Sequence, residues 1–323
     1  MSCSVQRFLA QSVILLSVVA AVSTRAALAQ SNTVRLRIGL IVPVSPSPAA
    51  TSVARGVRLG ASESKQTAAL FGGDVELFEV TATGPAEVIT AAQRLLSRSK
   101  VHILIGVRAE DIDALSRFAE AHSVLLMNAA SRTGTLRSAC RRHTFHLEAA
   151  DIAYQNAIAL GRSDALRAGA PRGTDAVSDS VVLWSSVLVR FGASQLSDRF
   201  RTMFNADMNG EAWAGWIAVK TASEAVLHTR SAESKSVIAY LEAASTQFDG
   251  HKGWPLTFRR SDHQLRQPLY IVAPSRGKRT DGSRSIRDVP DISELSSGAQ
   301  VPSTVLDRLN APPGNHACAW LPL

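Results

Sequence analysis

Residues 101–131 read VHILIGVRAEDIDALSRFAEAHSVLLMNAAS, and their pattern decides the fold. Val101 to Ile105 is a short, branched apolar run closed by Gly106. From Glu110 to His122, Ile112, Leu115, Phe118 and Ala119 recur at three- and four-residue spacings with charged residues between them, a helical pattern. Val124 to Met127 is a second apolar run, ending in Asn128-Ala-Ala-Ser131. Strand, helix and strand follow one another, and the helix is long enough to return the chain, so the two strands are expected to lie parallel in one sheet. Ligands of such sheets sit beyond the carboxyl ends of the strands, here Gly106 to Glu110 and Asn128 to Ser131.

The pattern extends toward the amino terminus. Val34 to Val42 alternates and then becomes wholly apolar, like an interior strand. A breaker-rich loop, Pro43 to Pro48, precedes a helical pattern over 52–66. Gly72-Gly73 marks a turn, Val75 to Val80 a strand, and Pro85 opens a helix running to about Arg98. Residues 34–131 therefore predict β-α-β-α-β-α-β, a doubly wound parallel sheet.

Before this lobe, Arg7 precedes an apolar run from Phe8 to Val22, and Ala27-Leu28-Ala29 fits a small-x-small cleavage rule. Residues 1–29 read as a secretory signal peptide, and Cys3 is misplaced for a lipoprotein signal. No later stretch is apolar and long enough to span a bilayer, so an exported, periplasmic protein without stable membrane insertion is expected. Loss of Arg7 and Arg25 lowers the formal charge from +8 to +6. The remaining bases are dispersed rather than clustered with aromatics, which argues against a nucleic-acid partner. Cys140 and Cys318 then remain, predicting one disulfide that ties the tail to the first lobe, against the alternative of two unpaired thiols.

After the first lobe (30–148), the polar stretch Ser138 to Leu147 is expected to lead the chain outward. A helix over 151–160, a polar linker over 161–180 and an apolar strand over 181–189 follow. Helical patterns cover 194–208, 210–228 and 234–244, the middle one with Trp213 and Trp216 on a broad apolar face that reads as core. Short strands are expected near 256–259 and 268–272. This makes a reduced carboxyl-terminal α/β lobe over 149–275 and a polar, extended or partly disordered tail over 276–323.

Catalytic signatures are missing. The chain has no G-x-S-x-G, no phosphate-binding loop with its Lys, and no G-x-G-x-x-G after the first strand, so no cofactor is expected. His143 and His146 lack matched ligands nearby and read as surface or hinge residues rather than a metal site. His251 and His263 fall in a dense polar-aromatic stretch that reads as strands crossing between lobes. Glu110 and Asp111 could act as an acid-base pair, but acids at a helix start are already favoured by the dipole; Glu110 stays open as a cleft residue.

RIGLIVPVSPS (37–47), ARGVRLGA (54–61), VHILIG (101–106) and VLLMNAAS (124–131) resemble, in that order, the periplasmic solute-binding proteins of branched-chain amino-acid ABC transporters, with their type I periplasmic-binding fold. NAASRTGTLRSACRRHTFH (128–146), FGASQLSDRF (191–200), AWAGWIAVKTASEA (212–225) and HKGWPLTFRRSDHQLRQPLY (251–270) more closely resemble the subfamily associated with PQQ-dependent alcohol dehydrogenase systems. Arg108-Ala109-Glu110 stands where amino-acid binders present small hydroxyl residues, so an ordinary α-amino acid is not the expected ligand. The stretch 161–180 replaces several βα units of relatives, on the order of a hundred residues, which implies an incomplete second lobe.

The resemblance implies an exported protein that captures a small polar metabolite in an interlobe cleft for an ABC transporter permease, without enzymatic activity. Ser45, Arg108, Glu110, Asn128 and Ser131 would line the cleft, Arg108 meeting an anionic group and Glu110 a cationic or hydroxylated one. The alternative is a shortened, non-transporting accessory or sensor protein docked on a periplasmic dehydrogenase.

Overall fold

A computed structural model describes residues 33–167, 180–274, 284–293, 302–309 and 318–320. Its first elements are strand β1 (Val34–Pro43), helix α1 (Pro48–Leu70), β2 (Gly73–Ala82), α2 (Pro85–Arg94, continued by a π turn, Leu95–Ser99), β3 (Ile103–Gly106), α3 (Ile112–His122) and β4 (Leu125–Asn128). After them come α4 (Gly134–Ser138), β5 (Thr144–His146), α5 (Asp151–Arg167), β6 (Ser180–Val182), α6 (Ala193–Phe204), α7 (Gly210–Thr229) and α8 (Ser234–Glu242). Short strands β7 (Phe248–Asp249), β8 (Pro255–Phe258), β9 (Leu265–Arg266), β10 (Leu269–Pro274) and β11 (Arg284–Val289) precede α9 (Pro302–Asp307).

The first five strands form one sheet in the order β2-β1-β3-β4-β5, every pair parallel. Period-two alternation sends Leu36, Ile38, Leu40, Ile103, Ile105, Leu125 and Met127 to one face. Ile41, Leu104 and Leu126 go to the other, where Val88 and Ala91 of α2 and Ile112 and Leu115 of α3 cover them. This is the doubly wound α/β architecture expected from the sequence.

Several expectations need correction. The polar stretch after Ser138 does not leave the lobe, because Thr144, Phe145 and His146 form the fifth strand. Its polar side chains are buried with partners: Thr144 Oγ1 lies 2.7 Å from Ser116 Oγ, and Asn128 Nδ2 donates to His146 Nδ1 at 2.9 Å. Residues 161–167 of the expected linker belong to α5, which continues to Arg167; residues 168–179 lie outside the described residues. The strand expected over 181–189 shortens to Ser180–Val182, and a turn then buries Trp184 and Leu188. The tail is not merely a polar extension. β11 pairs antiparallel with β10, and Val305, Leu306 and Leu309 are fully buried.

The helix over 210–229, assigned by sequence order to a second lobe, lies on the first sheet. α7 packs along α1 and also touches β1, sharing one core with Leu36, Ile38 and Leu40. Its apolar face is nearly all-round, with Trp213, Ile217, Ala218, Val219, Ala222 and Ala225 fully buried, so it needed cover on several sides. The described chain from Val34 onward is one compact unit. The remainder adds two small antiparallel sheets, β11-β10-β6 and β7-β8-β9. Among the described residues, no helix is long and apolar enough to cross a membrane.

Candidate ligand-binding site

At the carboxyl edge of the parallel sheet, β1 ends at Pro43, β3 at Gly106 and β4 at Asn128. α1 starts beside them, with Ser47 as its N-cap, Ser47 Oγ accepting the Ala50 N–H at 3.2 Å. A cavity of about 300 Å³ opens there. Pro43, Ala49, Ala50, Val53, Val107 and Ala130 give it apolar walls, and Ser45, Ser47, Arg108, Glu110 and Glu211 give it polar ones.

Ser45, Arg108 and Glu110 thus come together as the sequence suggested. Arg108 is not free, however. Its Nε and Nη2 donate to the two carboxylate oxygens of Asp111 at 2.7 and 2.6 Å, a bidentate pair that holds its guanidinium proton more tightly than usual. Glu110 Oε1 lies 3.3 Å from the same Nε, while its side chain remains 63% exposed.

Asn128 and Ser131 lie behind the wall, which Ala130 forms between them. Asn128 is fully buried: its Oδ1 accepts from Ala130 N at 3.2 Å and Ser131 N at 2.8 Å, and its Nδ2 donates to Ser131 O at 2.9 Å. Both ends of the amide are therefore committed to the turn after β4 and to His146. With Asn128 oriented by those bonds, His146 Nδ1 must accept, so the imidazole is neutral. Burial holds its pKa well below the usual histidine value, and the nearby Arg137 adds to that. Ser131 Oγ donates to Thr133 Oγ1 at 3.3 Å.

Sequence reasoning missed Glu211, which sits in the first turn of α7 and reaches the cavity because that helix lies on the first sheet. Behind it, Arg132 stacks 4.1 Å above the Tyr154 ring and extends Nε to within 3.3 Å of Glu148 Oε1. Its Nη2 is 3.9 Å from Glu211 Oε1. Tyr154 Oη donates to the buried Glu148 at 2.6 Å. Burial raises the Glu148 pKa, opposed chiefly by Arg132. Arg137 is wholly buried and donates to Gln264 Oε1 and to the carbonyls of Ser131, Thr133 and Glu148; burial pushes it down to about 10.

The other candidates have local partners. His143 Nδ1 lies 3.0 Å from Glu120 Oε2 and His251 Nδ1 3.2 Å from Phe191 O. His263 is buried, stacked on Phe145 and Trp320 with Nε2 3.0 Å from Glu242. The Cys140 and Cys318 sulfurs are bonded at 2.06 Å, and Cys318 N donates to Ser261 O at 2.9 Å.

No protein-family model matches the chain, and no curated protein matches it significantly. Solved structures do match. An ABC transporter substrate-binding protein from Sphaerobacter thermophilus aligns at a TM-score of 0.62 and 15% identity, over 78% of this chain and 96% of that one. A solute-binding protein of an ABC transporter from Rhodopseudomonas palustris, solved with 3,4-dihydroxybenzoic acid, aligns at 0.61 and 13% over 80% and 99%. The branched-chain amino acid transporter substrate-binding protein LivJ from Streptococcus pneumoniae, solved with isoleucine, aligns at 0.60 and 14% over 79% and 99%. The sheet, its two helical layers and these alignments define a type I periplasmic-binding fold.

Proposed function

We propose that the protein is an exported, non-enzymatic solute-binding protein that captures a small polar metabolite and presents it to an ABC transporter permease. The cavity of about 300 Å³ at the carboxyl edge of the sheet carries this reading. It lies where open α/β sheets bind ligands, combines apolar walls with a few polar groups, and has a volume at the small end of ligand sites. The structural neighbours' names supply the transport context. The apolar segment before residue 30 supports export to the periplasm. Its wall, among the described residues, comes from 43–130 and from Glu211, so capture begins on the first sheet and its covering helix rather than between two full lobes. A link to PQQ-dependent alcohol oxidation, with a dehydrogenase as partner, rests on the sequence resemblance of 128–146, 191–200, 212–225 and 251–270 alone, and a shortened second lobe on the stretch 161–180 standing where relatives have further βα units.

A thermal-shift panel of amino acids, aromatic carboxylates, amines, alcohols and aldehydes tests the reading. A ligand that binds only the folded state raises the melting temperature by mass action. A saturable rise with one chemical class is the expected result. A cooperative melt that no member of the panel shifts overturns the proposal.

A further inference from the structure

Arg108 is the one basic residue on the cavity wall among the described residues, and Asp111 already holds it through two hydrogen bonds. Glu110 and Glu211 share that wall. The next guanidinium, Arg132, stands behind and is placed between Glu148 at 3.3 Å and Glu211 at 3.9 Å. Two guanidinium groups thus serve four carboxyl groups, and no cation is left over for an anionic ligand.

The start of α1 does not change this balance. Pro48 has no N–H, and Ser47 Oγ takes the N–H of Ala50, so the helix offers little of the usual anion cradle. Both wall acids sit near helix starts, which explains their stability there, but the dipole does not cancel the charge they show to a ligand. A carboxylate entering this cavity would meet like charge with no partner, an arrangement that rejects ligands as effectively as good contacts retain them. An ammonium finds charged acceptors in Glu110 and Glu211. Val53, Val107, Ala49 and Ala130 leave room for a short hydrocarbon.

We propose that the cavity selects a small alkylamine, bound as its ammonium by Glu110 and Glu211 with its apolar chain against Val53 and Val107, and turns carboxylates away. The inference rests on the solute-binding reading and gives it a ligand class.

Three probes with one carbon skeleton test it: isoamylamine, isoamyl alcohol and isovalerate, titrated calorimetrically into the purified protein. The amine should bind about tenfold or more tighter than the alcohol, and isovalerate should give no saturable heat in the same range. Glu110→Gln and Glu211→Gln should each weaken the amine by roughly tenfold and leave the alcohol unchanged. Glu110 is mostly exposed, so its variant is expected to fold normally and keeps the test decisive if Glu211→Gln is unstable. Isovalerate binding as tightly as the amine, or amine binding indifferent to both substitutions, overturns the inference. An amino acid or aromatic carboxylate that binds where the amine does not overturns the ligand class and leaves the solute-binding reading standing. Silence from the three probes and the wider panel overturns both.

Discussion

Gly56 on α1 and Ala212 on α7 are in backbone contact: a Cβ placed on Gly56 would lie 1.8 Å from the Ala212 carbonyl oxygen. The contact is matched one turn along, where a Cβ on Gly215 would lie 2.3 Å from Val53 O. Neither obstacle is a flexible side chain, so the helices must separate to admit a methyl group. Overpacking typically costs about 1–3 kcal/mol, against about 1 kcal/mol gained in helix propensity. A backbone obstacle at 1.8 Å puts the cost at the upper end of that range, so Gly56→Ala should lower unfolding stability by about 2 kcal/mol, read from urea melts. An unchanged midpoint would show that α7 does not lie on α1 at this distance.

Asp111 is buried, and Arg108 is its bidentate partner. Arg108→Ala should cost about 1–3 kcal/mol, because it strands a buried carboxylate. Asp111→Asn combined with Glu110→Gln should do something different: with both neighbouring carboxylates neutralised, the guanidinium is released into the cavity. Isovalerate, silent against the unaltered protein, should then give a saturable calorimetric signal. Continued silence would mean that Arg108 is not what these two carboxylates withhold from anions.

His146 is neutral and buried, with its folded pKa below the unfolded value of about 6.5. The unfolded chain takes the proton first as pH falls, so this residue's contribution to stability declines below about pH 6.5, by at most about 1.4 kcal/mol per unit. Urea melts at pH 7, 6 and 5 should show that loss, and His146→Gln should show less of it. Equal slopes in both proteins would place the ring's proton elsewhere.

Cys140 and Cys318 are 178 residues apart in sequence, and their bond holds the segment carrying Trp320 against His263. A cross-link closing so long a loop contributes about 2–5 kcal/mol. Cys318→Ser should lower the melting temperature, and reductant should lower that of the unaltered protein but not of the variant. A melt insensitive to both would argue that the bond adds nothing to the folded state.

The parallel sheet was legible wherever branched apolar runs alternate with helical spacing, from Val34 to Asn128, because burial of those runs needs no distant information. β5 was not legible. Thr144 and His146 look like surface residues until Ser116 and Asn128 are brought to them. The apolar character of α7 showed that it must be buried but not against what, and its position after the polar stretch pointed to the wrong neighbour. In the tail, Val305, Leu306 and Leu309 are too few to outweigh the polar composition around them.

The candidate site divides in the same way. Local pattern placed Arg108 and Glu110 at the sheet's carboxyl edge, since strand ends follow from it, and the family resemblance added Ser45. It could not tell that Asn128 turns inward while Ala130 faces the cavity, because that depends on which donors the closing turn needs.

By itself, then, the sequence determined the order of strands and helices from Val34 to Asn128 and the edge on which the cavity opens, through hydrogen bonding and apolar periodicity within a few residues. The tertiary structure alone decided the site's charge. Glu211 reaches a wall built from residues 43–130, and comes within 3.9 Å of Arg132, only because α7 packs on α1. Coulomb interactions depend on distance in space, and those distances are set by packing between segments far apart in the chain.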